Sequence, residues 1–280
     1  MNRLTPPALE HRRRQLVPRL QQLPPSGARP LTVAGRVAGW VTPAASRHLA
    51  GVPGVRLARE AVHVGSDARR GLSLDAVLDG IARHLAARGV LPAWRDEALD
   101  VVGEGRCLGR IERAAVRPLG LLTRAVHLNA WSPDGRMWVA RRAADKATDP
   151  GMWDTLVGGL VSTGETPDIA LLRESNEEAG LTPASLSARG PLRLLVRMHR
   201  CVQQGYQVEE VIASDCVLPG DACPHNLDGE VSEIRLLSLE AVWALLEQGG
   251  FTLEAELSIL DSLQAAAGAA QALDARMGSV

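Results

Sequence analysis

Lysine is almost missing from this chain: Lys146 is the only one among 31 basic residues, and the rest are arginine. Such a bias is expected first of a GC-rich coding sequence, and it makes the surviving lysine a candidate for a specific task. An excess of charge is missing too. With 31 basic and 32 acidic residues the formal net charge is −1, so no basic field marks nucleic acid as a bulk ligand. Cysteine is sparse. Cys107, Cys201, Cys216 and Cys223 show neither paired CxxC spacing nor the density of a secreted disulfide scaffold. Reduced thiols in a cytoplasmic protein are the expectation, with core packing for Cys201 and Cys216 preferred over a zinc site shared with His199. The basic HRRRQ at 11–15 is not followed by an apolar core of the required length, so neither a signal peptide nor a membrane anchor is expected.

The chain's 280 residues suffice for two ordinary domains. In the first part, a polar, arginine-bearing helix is closed by Pro24-Pro25-Ser26-Gly27, and LTVAGRVAGWV at 31–41 reads as a strand. SLDAVLDGIARHLAARGV at 73–90 reads as an amphipathic helix with Leu74, Val77, Leu78, Ile81 and Leu85 on its buried stripe. Segments 94–103 and 105–115 read as strands or a hairpin. The expected division is a smaller α/β accessory domain at 1–118 and a second domain at 119–280. The second opens with strands at 125–131 and 136–142 around the turn Ser132-Pro133-Asp134-Gly135. Strands at 192–202 and 206–218 and helices at 238–248 and 253–266 follow.

The densest chemistry lies at 159–181, GLVSTGETPDIALLRESNEEAGL. Thr166-Pro167 is a helix entrance, with a side-chain oxygen for an orphan amide and a proline pre-set for the first turn. Gly180 is the expected left-handed exit. Between them Glu174, Glu177 and Glu178 stand at i, i+3 and i+4, so the three carboxylates share a face while Ile169 and Leu172 take the other. Like charges so placed cost about 0.2–0.5 kcal/mol per close pair. A hard divalent cation offsets that repulsion, because Mg²⁺ takes oxygen ligands and keeps positions for water and phosphate. A solvated acidic face is the bland alternative. The joint occurrence of Gly159, Glu165, Arg173, Glu174, Glu177, Glu178 and Gly180 in this register by accident has odds on the order of one in a million.

These residues resemble the signature of the Nudix hydrolases, departing only at Ser175, where that family has a bulky aliphatic residue. The resemblance implies an α/β/α sandwich with a mixed sheet and a metal site for Mg²⁺, or Mn²⁺ in its place. It implies Glu174, Glu177, Glu178 and the Gly159 carbonyl as ligands, with Glu174 as ligand or general base. Arg173 would orient the glutamates, and Glu165 would fix the loop-to-helix geometry. Glu230 and Glu233 are rivals for the base, although Asp228-Gly229-Glu230 reads equally as a plain turn. Arg141, Arg142 and Lys146 are candidates for the non-reacting phosphate. Trp153, Trp131 and Tyr206 could stack on a flat heterocycle, against core packing as the ordinary role.

The run ARRAADKATDPGMWDTLVGG at 140–159 resembles a two-domain Nudix branch similar to the part fused to thiamin pyrophosphokinase in fungi. That implies thiamin diphosphate or its oxidised or damaged analogues as substrate. The same layout occurs in isopentenyl diphosphate isomerases, but those require a cysteine where this chain has Gly158. Two rival readings stay open: a pyrophosphatase of nucleoside diphosphate derivatives such as ADP-ribose, and a non-catalytic ligand sensor. The partner expected is a small-molecule diphosphate, with no nucleic acid and no membrane; a homodimer is left open.

Overall fold

A computed structural model describes residues 5–277. Helix α1 (Pro6–Leu20) starts on prolines and buries Leu9, Leu16 and Leu20. Strands β1 (Arg29–Val33) and β2 (Arg36–Val41) form a hairpin in place of the single strand expected at 31–41. Ala34 and Gly35, at φ 47° and 79°, make its two-residue turn. Both residues in the left-handed region suit the twist of a tight hairpin, but Ala-Gly lacks the usual turn signature. After α2 (Pro43–Ser46), strands β3 (Val55–Leu57) and β4 (Val62–Val64) complete a sheet of order β2-β1-β4-β3. Helix α3 (Leu74–Ala87), capped by Ser73, packs Val77, Leu78, Ile81 and Leu85 into the core over this sheet. The hairpin β5 (Ala98–Gly103) and β6 (Arg106–Glu112) and the short α4 (Val116–Leu119) lead onward.

The larger sheet comprises β7 (Leu122–Trp131), β8 (Met137–Arg142), β9 (Trp153–Thr155), β10 (Val157–Leu160), β11 (Arg193–Val202), β12 (Gly205–Val217) and β13 (Val231–Leu237). Its order is β11-β12-β7-β8-β13, with β10 paired to β7 and β9 to β8. Only the β12–β7 pair is parallel, so the sheet is mixed. Helix α5 (Pro167–Ala179) lies between β10 and β11 in the chain; α6 (Leu239–Glu247) and α7 (Leu253–Met277) follow β13.

Strand alternation sends Val126, Leu128 and Ala130 into a core shared with Ala170, Leu171 and Ala179 of α5. A second core holds Met137, Val139 and Val211 with Val242 and Leu246 of α6 and Leu257 and Leu260 of α7. Helices thus cover both faces, giving an α/β/α sandwich preceded by a smaller α/β region.

Helix α1 packs with this second core, through Leu9, Leu16 and Leu20. Arg12 pairs with buried Glu256 and donates to the Leu246 carbonyl at 2.6 Å. A division at 118/119 therefore does not follow the packing at its N-terminal end, because the polar helix carries an apolar stripe that matches α7. Core packing was expected for Cys201 and Cys216, yet only Cys216 is buried; Cys107, Cys201 and Cys223 are exposed. Cys201 is in register with Tyr206, ten residues short of Cys216 on β12, so the two thiols and His199 do not converge. Among the described residues no helix is long and apolar enough to cross a membrane.

Candidate active site

Helix α5 begins where the Thr166 side chain accepts from Ile169 N at 3.3 Å and Pro167 occupies the first turn. It ends at Gly180, whose φ of 62° suits glycine and whose missing Cβ would meet the His225 ring at 2.7 Å. The buried residues between are Ala170, Leu171, Ser175, Glu178 and Ala179. Ile169 and Leu172, on the face expected opposite the glutamates, are 52% and 37% exposed. Small Ser175, fully buried, lets the helix sit close to the sheet, which moves the buried stripe off the larger apolar residues.

Arg173 joins the acidic residues. Its Nε and Nη2 donate to the two Glu165 oxygens at 2.7 and 2.9 Å, and Nη1 donates to Glu174 at 2.7 Å and Glu177 at 3.0 Å. Nη2 also reaches the Leu160 carbonyl at 3.1 Å, which ties the helix to β10. Glu165 accepts in addition from Ser162 N at 3.1 Å, so this one carboxylate fastens the loop before α5 to the helix. The hydrogen bonds from Arg173 hold Glu165 below its usual range.

Burial lifts Glu174 to about 7, a rise that the Arg173 charge opposes and that Glu177 and Glu230 reinforce. Glu178 is pushed well above the ordinary carboxylate range by burial, although it accepts from Gly158 N at 2.8 Å. A Cβ at Gly159 would lie 2.0 Å from the Glu174 carboxyl carbon, so only glycine lets backbone and carboxylate meet there.

This donor set, carboxylates beside a backbone carbonyl, has the oxygen chemistry that Mg²⁺ or Mn²⁺ prefers. Among the described residues no three His, Cys, Asp or Glu side chains already converge as a closed metal cluster. Glu174 and Glu177 are instead drawn to Arg173, and raised Glu174 and Glu178 mark negative charge that a cation would stabilise. On those grounds the residues fit the ion.

A cavity of about 430 Å³ opens beside this cluster, lined by Gly158, Gly159, Glu174 and Glu177. Arg142, Lys146 and Glu230 line it as well. Arg142 pairs with Asp154 at 3.1 Å, and Lys146 pairs with Glu230. Burial alone would raise Glu230, but hydrogen bonding from Lys146 together with the charges of Lys146, Arg113 and Arg142 outweighs it and holds this carboxyl below its usual value.

Arg141 and Trp153 do not line the cavity. They stack on each other, the guanidinium carbon 5.9 Å from the ring centroid, with Arg235 on the same ring at 5.5 Å. Strand alternation is the reason: neighbours on a strand face opposite ways, so Arg142 and Asp154 turn inward and Arg141 and Trp153 turn away. Glu233 pairs with Arg235. Tyr206 is buried, its hydroxyl donating to the Gln22 carbonyl at 2.7 Å, and Trp131 donates to Ser262 at 3.2 Å.

Other parts of the lining come from residues with no motif. Glu97, Arg113 and Arg117 reach it from the segment before β7; Glu97 accepts from Ser162 Oγ at 2.9 Å and from Arg113 at 2.5 Å. Gln207 and Glu209 of β12, Glu254 at the start of α7 and His127 of β7 also line it. Burial lowers His127 below its usual value, against the pull of Asp154 and Glu209. Gln207 and Glu209, at i and i+2, share a face of β12, but other polar residues on that strand leave them unmarked in the sequence. Gly158 faces His127 so closely that a Cβ would lie 3.2 Å from Nδ1.

Residues 121–255 match the family described as the NUDIX domain. The chain is similar to Nudix hydrolase 20, chloroplastic, of Arabidopsis thaliana, at 30% identity over 181 residues, 63% of this chain and 48% of that protein. It is 34% identical over 113 residues to the isopentenyl-diphosphate Delta-isomerase of Streptomyces griseus, covering 40% of this chain and 56% of that one. The crystal structure of DR0079 from Deinococcus radiodurans aligns with 56% of this chain and 92% of its own, at 26% identity and a TM-score of 0.40. The chain spans about half the length of the plant Nudix relatives it matches, 48% and 52%.

Proposed function

We propose that this chain, which carries a Nudix domain at residues 121–255 and belongs to that superfamily, is a divalent-metal-dependent hydrolase of a diphosphate linkage in a small organic molecule. The observation that carries this reading is the group Glu165, Arg173, Glu174 and Glu177, joined by four hydrogen bonds at 2.7–3.0 Å beside Gly159, on the wall of a cavity that Arg142 and Lys146 also line.

Glu174, Glu177, Glu178 and the Gly159 carbonyl would hold Mg²⁺ or Mn²⁺. Bound there, the ion supplies neutralisation of the phosphoryl oxygens and activation of water. Arg173 holds Glu174 and Glu177 in place through a guanidinium anchored on Glu165 and the Leu160 carbonyl. Glu174 is the general base: it is buried at the cavity wall beside the Gly159 backbone, and the cation would hold it ionised and able to take a proton from water. Glu230 is the weaker candidate, since Lys146 holds it ionised and below its usual value. Arg142 and Lys146 take the non-reacting phosphate as charge-assisted donors. Arg113 and Arg117 extend that basic wall from the first part of the chain.

The substrate class we assign is thiamin diphosphate and its oxidised or damaged analogues. Its support is the resemblance carried by residues 140–159, together with a match to the plant protein over 63% of this chain, more than residues 121–255 alone can fill. A panel of thiamin and nucleoside diphosphates incubated with Mg²⁺ and scored for phosphate or monophosphate release tests it. Faster turnover of the thiamin compounds is expected. Turnover of nucleotides at an equal or greater rate would remove this substrate class, and no turnover of any diphosphate would favour the sensor reading.

A further inference from the structure

The segment that joins β10 to α5 is held from two directions. Towards α5 it grips Arg173: the Leu160 carbonyl accepts from Nη2 at 3.1 Å, and Glu165, which also accepts from Ser162 N at 3.1 Å, takes Nε and Nη2 at 2.7 and 2.9 Å. Its other attachments are to the smaller α/β region. Ser162 Oγ donates to Glu97 Oε1 at 2.9 Å, Thr163 N donates to the Ala98 carbonyl at 3.0 Å, and the Leu160 side chain packs against the core that α3 shares with the first sheet. Glu97 is itself fixed by Arg113, whose guanidinium donates to Oε2 at 2.5 Å and whose backbone N–H donates to the Glu97 carbonyl at 2.8 Å. Ser162 is the junction. Its hydroxyl goes to Glu97 and its amide to Glu165, so one residue links a carboxylate at the foot of β5 to the carboxylate that anchors Arg173. Ser162 and Thr163 stand between Gly159 and Glu165, at places the signature leaves open, and here they are spent on the smaller region.

We propose that Glu97 is a positioning residue for the cation site: through Ser162, Glu165 and Arg173 it sets where Glu174 and Glu177 stand, so the smaller α/β region completes a site whose ligands all lie outside it. This rests on the metal-dependent reading above and deepens it. Glu97 lines the same cavity, yet each of its oxygens already has a donor, so it acts through Ser162 and not as a ligand. The path is short. Glu97 fixes the Ser162 hydroxyl, Ser162 N fixes Glu165, Glu165 fixes the guanidinium, and Nη1 of Arg173 donates to Glu174 at 2.7 Å and Glu177 at 3.0 Å. Without the tether Glu165 and Arg173 regain conformational freedom, and a cation must then order them at its own cost. Groups hydrogen-bonded directly to metal ligands are typically worth about 10- to 100-fold in metal affinity. Glu97 stands further out, so its share is smaller.

The test is Mn²⁺ binding to the full chain, with free ion followed by electron paramagnetic resonance, in a double-mutant cycle of Ser162→Ala and Glu97→Ala, each variant also being melted. Ser162→Ala removes one hydroxyl and no charge, and should weaken Mn²⁺ binding about three- to tenfold. Glu97→Ala should weaken it at least as much. Because both lie on one path, the double variant should bind no more weakly than Glu97→Ala alone. A tether that served folding alone would lower the melt and leave Mn²⁺ affinity at the wild-type value. That result in either variant would overturn the proposal, as would losses that multiply in the double variant, since Glu97 would then act on the ion across space and not through Ser162. Ser162→Ala decides alone if Glu97→Ala does not fold. Wild-type protein that binds no Mn²⁺ would overturn the metal reading itself, whereas wild-type binding that Ser162→Ala leaves unchanged overturns only the positioning role, so the two failures are distinguishable.

Discussion

One end of the cavity wall is where Glu174 and Glu177 of α5 gather on Arg173; the other is where Glu209 and Glu254 share Gln207. In the first group the balancing charge is local, one residue from Glu174 and four from Glu177. In the second, Glu209 borrows its cation from Arg117, 92 residues earlier; burial pushes this carboxyl up, but Arg117 together with hydrogen bonding from Thr123 and the His127 charge holds it below its usual value. Glu254 has no such partner and is raised to about 7 by burial and by Glu209. The difference teaches that buried acid can be held for exchange in two ways. A guanidinium can give way to a hard cation, whereas a carboxyl beside an amide oxygen answers to hydrogen-bond donors.

The sharpest way to separate the two ends is Glu177→Gln, which removes the charge of a proposed cation ligand from a half-exposed position on α5. We expect kcat for diphosphate release to fall about 10²- to 10³-fold, with an unchanged thermal melt. A rate equal to wild type would take Glu177 out of the mechanism. Next in size is the contrast between Arg142→Ala and Arg141→Ala. Opposite facing on β8 predicts a rise in KM of roughly tenfold for the first and less than about twofold for the second; equal effects would mean the strand does not sort them.

Proton linkage probes both ends together. Glu174 and Glu254 both sit at about 7 in the folded protein, above the ordinary value of 4.5, so the folded state holds protons that the unfolded state releases. Their contribution to stability is therefore full below about 4.5 and is lost as pH rises through about 7. Melting of the metal-free protein should fall across that window. Mg²⁺ should recover the part due to Glu174, and Glu254→Met the part due to the other end. A flat melting profile would contradict both assignments. The smallest effect expected is on the frame: Thr166→Ala removes the α5 cap and should cost about 1 kcal/mol in denaturant unfolding, with Mg²⁺ affinity unchanged.

The α5 end was legible in the sequence because cap, glutamates, arginine and exit glycine fall within one helix, where i, i+3 and i+4 spacing dictates proximity. The sandwich of strands and helices at 122–277 was legible from the same periodicities. The face of α5 was not: Ile169 and Leu172 look like core residues by type, but the tight approach at Ser175 and Ala179 decides which stripe is covered. Nor was the other end, since β7, β12 and α7 bring His127, Gln207 and Glu254 together only through the sheet order. Residue type does not separate Arg141 from its inward-facing neighbour Arg142, nor show that Trp153 turns away while Asp154 turns inward; that distinction needs the strand's orientation.

The central claim, a cation held by the α5 glutamates against a diphosphate, is tested most directly by titrating Mn²⁺ into wild type and Glu177→Gln and following free ion by electron paramagnetic resonance, with and without methyl methylenediphosphonate. Wild type should bind Mn²⁺ more tightly when the diphosphonate is present, and the variant should lose about tenfold or more of that affinity. Identical titrations for the two proteins, or no effect of the diphosphonate on wild type, would contradict it.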